Sequence, residues 1–190
     1  MQVYNISFGA NFIKNTTILQ KDKSGNFKPY DVALVELDPY SKNDIATMAE
    51  IADEWFSWES FTPQILESME NISDRHQMIR SERKFYALTT QTDNFEKLDQ
   101  MNILNTAQVS DYRFNQIKLD FIETNPAYKH KEAKSCYKHI GTAMLNCIKE
   151  LYSKKDIYLR AIDDAVDFYL LNGFKRVSEN LSEFVLKRGS

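Results

Sequence analysis

The stretch YKHIGTAML, Tyr137 to Leu145, decides how the second half of the chain is read. From Ile140 onward, Ile140, Ala143, Met144, Cys147, Ile148, Leu151 and Tyr152 recur at helical spacing, one apolar stripe for a core. The helix start is unusual. No Ser, Thr, Asp or Asn stands just before Ile140 to accept from the free N–H groups of the first turn. Lys138 and His139 stand there instead, and cations are the wrong sign for the positive end of a helix. Gly141 follows, a residue that weakens a helix interior. The residues alone also allow a helix that begins earlier, near Glu132.

Working outward, the sequence divides into short periodic segments. On the C-terminal side, DIYLRAI (Asp156 to Ile162) reads as a strand, DDAVDFYLLNGF as a short helix stopped by Gly173, and EFVLKR as a last strand. On the N-terminal side, QIKLDFIET (Gln116 to Thr124) alternates as a strand and is ended by Asn125-Pro126. KFYALTTQ (Lys84 to Gln91) and NILNTAQVSDY (Asn102 to Tyr112) are two more strands. SKNDIATMAEIADEWF is a helix with Ile45, Met48, Ala52 and Trp55 on one face, capped by Ser41 or Asn43. TPQILESMENI is a second helix, with Thr62 placed to cap it and Pro63 in its first turn. YDVALVELD (Tyr30 to Asp38) is a strand, and the polar turn KDKSGNFKP precedes it. Residues 1–29 form an N-terminal extension in which NTTILQ is an added edge strand; residues 30–190 form the main domain. Three consecutive strands followed by a strand–helix–strand unit give an α+β fold, with a mixed, mostly antiparallel central sheet flanked by helices.

Composition narrows the function classes. The 190 residues are 43% apolar, enough for one domain with a sizeable core. The net charge of −3, with both signs interspersed, lacks the basic footprint of a nucleic-acid binder, so no nucleic-acid partner is expected. The longest apolar run is far short of a membrane span and the N-terminus lacks a signal-peptide pattern, so a cytoplasmic protein with no membrane partner is expected. Cys136 and Cys147 are read as free thiols. His76, His130 and His139 show no zinc spacing with them, so no metal is expected.

The element order and three local motifs resemble the GNAT superfamily of acyl-CoA-dependent N-acyltransferases, from about Tyr30 to Arg188. The family's fourth strand ends in a Pro-containing turn, as LDFIETNP does. Its pyrophosphate loop reads Gln/Arg-x-x-Gly-x-Gly/Ala, matched by Cys136 to Gly141 and followed by Thr142-Ala143-Met144-Leu145. Its Ala-x-x-Phe-Tyr, three residues, then Gly-Phe is matched by AVDFYLLNGF, Ala165 to Phe174. The departures are Cys136 for Gln/Arg, His139 for the first Gly, Ile162 for a frequent Asn, and a longer connection between Pro126 and Ile140.

The resemblance implies an acetyl-CoA-dependent N-acetyltransferase that acetylates a primary amine of a small molecule or peptide by direct attack in a ternary complex. Its alternative is a catalytically weak module that keeps the fold for binding or regulation. Backbone of His139, Ile140, Gly141, Thr142 and Ala143 is then expected to hold the pyrophosphate, with Lys131, Lys134 and Lys138 meeting the ribose phosphate or pyrophosphate. The pantetheine arm is expected along Ile122, Glu123 and Thr124. Tyr169 is the expected proton donor to the thiolate, Asp120 the general base, and Glu123 the alternative base if a bulge re-aims it. Strand alternation puts Leu119 and Phe121 on one face and Lys118, Asp120 and Ile122 on the other. Trp55, Trp58 and Glu59, from the aromatic and acidic stretch ADEWFSWESFTP, are expected to meet a cationic acceptor. A homodimer is left open.

Overall fold

The computed structural model describes residues 9–57, 60–74, 83–128, 135–177 and 182–188. Among them one mixed sheet contains β1 (Asn11–Lys21), β2 (Phe27–Leu37), β3 (Arg83–Thr89), β4 (Ile103–Arg113), β5 (Gln116–Thr124), β6 (Tyr137–Lys138), β7 (Asp156–Arg160), β8 (Lys175–Arg176) and β9 (Glu183–Leu186). The helices are α1 (Lys42–Glu54), α2 (Thr62–Asp74), α3 (Ile140–Leu151) and α4 (Val166–Leu171). The spatial strand order is β6-β1-β2-β3-β4-β5-β7-β9-β8. Every pairing is antiparallel except β5 with β7, and α3 is the crossover between those two. Both sheet faces are covered. Ile117, Leu119, Met144 and Ile148 belong to the core on the α3 side. Met48, Ile51, Trp55, Ile65 and Phe85 belong to the core on the α1–α2 side.

The α+β reading and the mixed, mostly antiparallel sheet agree with this architecture. The N-terminal strand is longer than NTTILQ. β1 pairs with β2 from Asn11↔Glu36 to Lys21↔Phe27, and buries Ile18 in the α3-side core. The turn between them is closed locally: Asp22 Oδ1 accepts from the amides of Ser24 and Asn26, each at 2.9 Å, and Gly25 takes φ +86°. β2 therefore starts before Tyr30. The far edge of β1 pairs with β6, Leu19↔Lys138 and Gln20↔Tyr137, which pins the segment entering α3.

Ser41, rather than Asn43, caps α1, accepting from the Asp44 amide at 3.2 Å. α3 begins at Ile140, and its stripe is buried through Ile148. Leu151 leaves the stripe at 39% exposed, where the helix ends.

The alternation predicted for β5 fails at one residue. Gln108 pairs with Phe121 and Val109 with Leu119, so Asp120 is the extra residue of a β-bulge. Leu119 lies in the α3-side core, whereas Phe121 packs on the α1–α2 side. The two therefore do not share a face, because the bulge shifts the period by one residue.

Candidate functional site

The bulge also parts two strands. β5 pairs with β7 from Gln116↔Asp156 to Leu119↔Leu159, and no pair follows. β5 continues to Thr124 with its β7-facing edge open, while β7 ends at Arg160. Two cavities meet in this gap. The first, about 380 Å³, lies against the start of α3 and is lined by Thr124, Lys138, His139, Gly141 and Thr142. The second, about 340 Å³, is lined by Phe61, Lys118, Asp120, Phe121 and Arg160. Ile122, Ala165 and Tyr169 line both.

The start of α3 is open in the way its sequence suggested. The amides of Ile140, Gly141 and Thr142 precede the first helical hydrogen bond and have no partner among the described residues. That first bond runs from the Ala143 amide to the His139 carbonyl, 2.8 Å. Ala143 is thereby corrected: its amide is spent inside the helix and its methyl is buried at 5% exposure. His139 is exposed and sits at φ +64°, ψ +18°, the left-handed region, with no side-chain cap. This is the position where the resembled motif has Gly, and the backbone geometry explains that preference. A Cβ at Gly141 would lie 3.6 Å from both Phe168 Cζ and Thr124 Oγ1, so the glycine keeps a cradle open without being sterically obligatory. Lys138 lines the same cavity, with its ammonium 4.0 Å from the centroid of the Phe27 ring. Lys131 and Lys134 lie outside the described residues.

Tyr169 stands where the cavities join, on α4, with Phe168, Phe174 and Phe184 around its ring at centroid distances of 5.1, 5.7 and 6.4 Å. Burial pushes its hydroxyl up to about 12, so it stays protonated at neutral pH. The hydroxyl makes no hydrogen bond among the described residues. Asp120 opens into the second cavity. Its Oδ2 accepts from Gln108 Nε2 at 3.3 Å and its Oδ1 lies 3.1 Å from Lys118 Nζ. Gln108 is itself 2% exposed, so the carboxylate is held from beneath by a fixed side chain.

Glu123 is corrected as a base; its expected pantetheine contact is through backbone and does not depend on its side chain. It points to the α1–α2 face, where Oε2 accepts from Ser60 Oγ (3.0 Å), the Phe61 and Thr62 amides (both 2.8 Å) and Thr62 Oγ1 (2.6 Å). It caps α2 from across the sheet, the task expected of Thr62 itself. Ile122 and Thr124, on the other face, do line the first cavity. Trp55 is also corrected: it is 2% exposed, in the core under α1. Trp58 and Glu59 lie outside the described residues. From that aromatic stretch it is Phe61 that reaches the second cavity, stacked on Phe121 at 5.5 Å. Lys118 and Arg160 were missed as lining residues. Their signal was strand position, since they flank the last β5–β7 pair, Leu119↔Leu159, Lys118 just before it and Arg160 just after it.

No protein-family model and no curated protein sequence matches the chain. Solved structures do. A protein from Desulfovibrio desulfuricans assigned to the GNAT acetyltransferases is 14% identical, with a TM-score of 0.54 over 83% of this chain and 99% of its own. One from Exiguobacterium, assigned as an acetyltransferase, is 14% identical, with a TM-score of 0.54 over 83% of this chain and 94% of its own. The AtaTR complex bound with acetyl-CoA matches at 13% identity and a TM-score of 0.54, over 82% of this chain and 92% of that one. At these identities the likeness is one of fold: the chain has the GNAT acetyltransferase fold.

The matches also include a KacTA–DNA complex, 16% identical over 72% of this chain and 89% of that one, with a TM-score of 0.45. The DNA belongs to that complex; for this chain the expectation of no nucleic-acid partner is withdrawn on its own premise. It had rested on a chain-averaged charge, which says nothing of local patches. Among the described residues no helix is long and apolar enough to cross a membrane.

Proposed function

We propose that the protein is an acetyl-CoA-dependent N-acetyltransferase acting on a primary amine of a small molecule or peptide, by direct attack in a ternary complex. The observation that carries this reading is the meeting of two cavities at Tyr169, in the gap that the Asp120 bulge opens between β5 and β7. The first cavity fits the cofactor's chemistry. Its floor offers three unpartnered amides at a helix start, beside Lys138 and His139. Its wall is the open edge of β5, suited to an added extended arm.

When bound, acetyl-CoA supplies an activated thioester. The amides of Ile140, Gly141 and Thr142 would hold its pyrophosphate, and backbone of Ile122 to Thr124 its pantetheine arm. Tyr169 holds a proton at its phenolic oxygen for the departing sulfur, and burial keeps that proton in place. Asp120 accepts the proton of the attacking amine, directly or through water. Gln108 and Lys118 hold its two oxygens from opposite sides.

The test is acetyl transfer from acetyl-CoA to a panel of primary amines, followed by thiol release and product mass. The expected result is acetylated amine, with transfer reduced by Asp120→Asn. Tight acetyl-CoA binding with no product from any amine would overturn the reading.

A further inference from the structure

We infer that the acceptor amine also carries an anionic group, a carboxylate or phosphate, seated against Arg160 in the second cavity. This rests on the transferase reading above and specifies its acceptor. Three charged side chains line that cavity: Lys118, Asp120 and Arg160. Lys118 and Asp120 answer each other at 3.1 Å. Arg160 is left in excess. Its Nε donates to Ser182 Oγ at 3.1 Å, which fixes the plane of the guanidinium. Its two terminal nitrogens have no partner among the described residues. Glu183 stands opposite Arg160 in the β7–β9 register, yet forms no ion pair with it. A planar guanidinium with both terminal nitrogens open suits bidentate binding of a carboxylate or phosphate.

The rest of the cavity agrees with that polarity. Phe61 and Phe121 form an aromatic wall. Of the acidic residues in ADEWFSWESFTP, the stretch expected to meet a cationic acceptor, Asp53 and Glu54 do not line the cavity and Glu59 lies outside the described residues. The alternation of β5 and β7 puts Lys118 and Arg160 on the face away from α3, because Ile117, Leu119 and Leu159 occupy the α3-side core. An acceptor therefore meets a cation at Arg160, an aromatic wall, and a carboxylate at Asp120 near the Tyr169 junction. These groups match a compact molecule that carries both an amine and an anion. A polyamine or a lysine side chain lacks the anion.

The experiment compares L-phenylalanine, L-phenylalaninamide, phenethylamine and phosphoethanolamine on wild type, Arg160→Gln and Arg160→Lys. Calorimetric Kd is measured on the CoA-loaded protein, and kcat/KM with saturating acetyl-CoA. The expected result is that an anion-bearing probe binds and reacts at least ~10-fold better than the uncharged amide, a usual scale for a charge-assisted bidentate contact. Arg160→Gln should erase that preference, Arg160→Lys should keep part of it, and CoA affinity should not move. The carboxylate and phosphate arms separate the two anions. Equal binding of the amide, a preference that survives Arg160→Gln, or binding of no probe overturns the inference. An Arg160-dependent preference in binding without acetylation would instead sink the transferase reading and leave the anion site standing. Acetylation without any preference would do the reverse.

Discussion

Replacing Glu123 separates a structural carboxylate from a catalytic one. Its Oε2 takes four hydrogen bonds, two from the Phe61 and Thr62 amides and two from the Ser60 and Thr62 hydroxyls. In Glu123→Ala the hydroxyls can rotate to other acceptors. The amides cannot, because they are fixed at the start of α2. Two amides losing a charged acceptor cost ~1.5–2 kcal/mol each, so about 3–4 kcal/mol in all. With a urea slope of ~2.5 kcal/mol/M, the unfolding midpoint should fall by about 1.4 M. Glu123→Gln keeps one acceptor oxygen and loses only the charge, so a fall of about 0.5 M is expected. Urea unfolding followed by fluorescence reads both. At temperatures where the variants remain folded, turnover in Glu123→Gln should stay within ~3-fold of wild type, far less than loss of a general base. An Ala variant with a midpoint within ~0.3 M of wild type and abolished turnover would refute the cap and restore Glu123 as the base.

Tyr169→Phe should lower kcat by ~10²-fold or more, the lower end of what a general acid contributes. Its acetyl-CoA affinity and urea midpoint should be unchanged, since the hydroxyl has no hydrogen-bond partner among the described residues. Because its hydroxyl is pushed up to about 12, the wild-type rate should show no alkaline fall attributable to this group through pH 10. Asp44 is 0% exposed, and burial raises its carboxyl to about 6, against the lowering effect of the Asp38 amide bonded to it at 2.7 Å. A raised carboxyl favours folding fully below its ordinary value near 3.8, and that contribution is lost as pH rises through 6. Stability should therefore gain up to about 3 kcal/mol from this group between pH 7 and pH 4, and Asp44→Asn should flatten that part of the profile in urea unfolding at several pH values. Gly141→Ala should raise stability by up to ~1 kcal/mol through helix propensity and keep acetyl-CoA affinity within ~3-fold, since the resembled motif admits Ala there, whereas Gly141→Leu fills the cradle and should weaken acetyl-CoA by ~10-fold in calorimetry.

Where one period ran uninterrupted, the sequence was easy to read. The 3.6-residue stripe set the buried face of α3 from Ile140 to Ile148, and Asn125-Pro126 marked the end of β5. What stayed hidden depended on single insertions or on distant partners. The Asp120 bulge is one extra residue in an alternating run, and no residue type marks it. Glu123 caps a helix whose first residue is 61 positions away, beyond any local motif. β6 is two residues long and exists because β1 offers it an edge. Trp55 was a different kind of error. Its helical spacing with Met48 and Ala52 already placed it on the buried face, and the surrounding aromatic and acidic residues outweighed that signal. Periodicity measures burial directly, whereas composition describes only a neighbourhood.

Under the proposed function, the open start of α3 and the free edge of β5 receive acetyl-CoA. Calorimetric titration of acetyl-CoA into wild type and Gly141→Leu, with dephospho-CoA and free adenosine diphosphate as controls, is the decisive test. Micromolar binding of acetyl-CoA is expected, ~10-fold weaker in the leucine variant, with competition by the diphosphate. Equal affinity in both proteins would place the cofactor away from the start of α3, and absence of binding at millimolar cofactor would mean that His139, held at φ +64°, closes the loop it stands in.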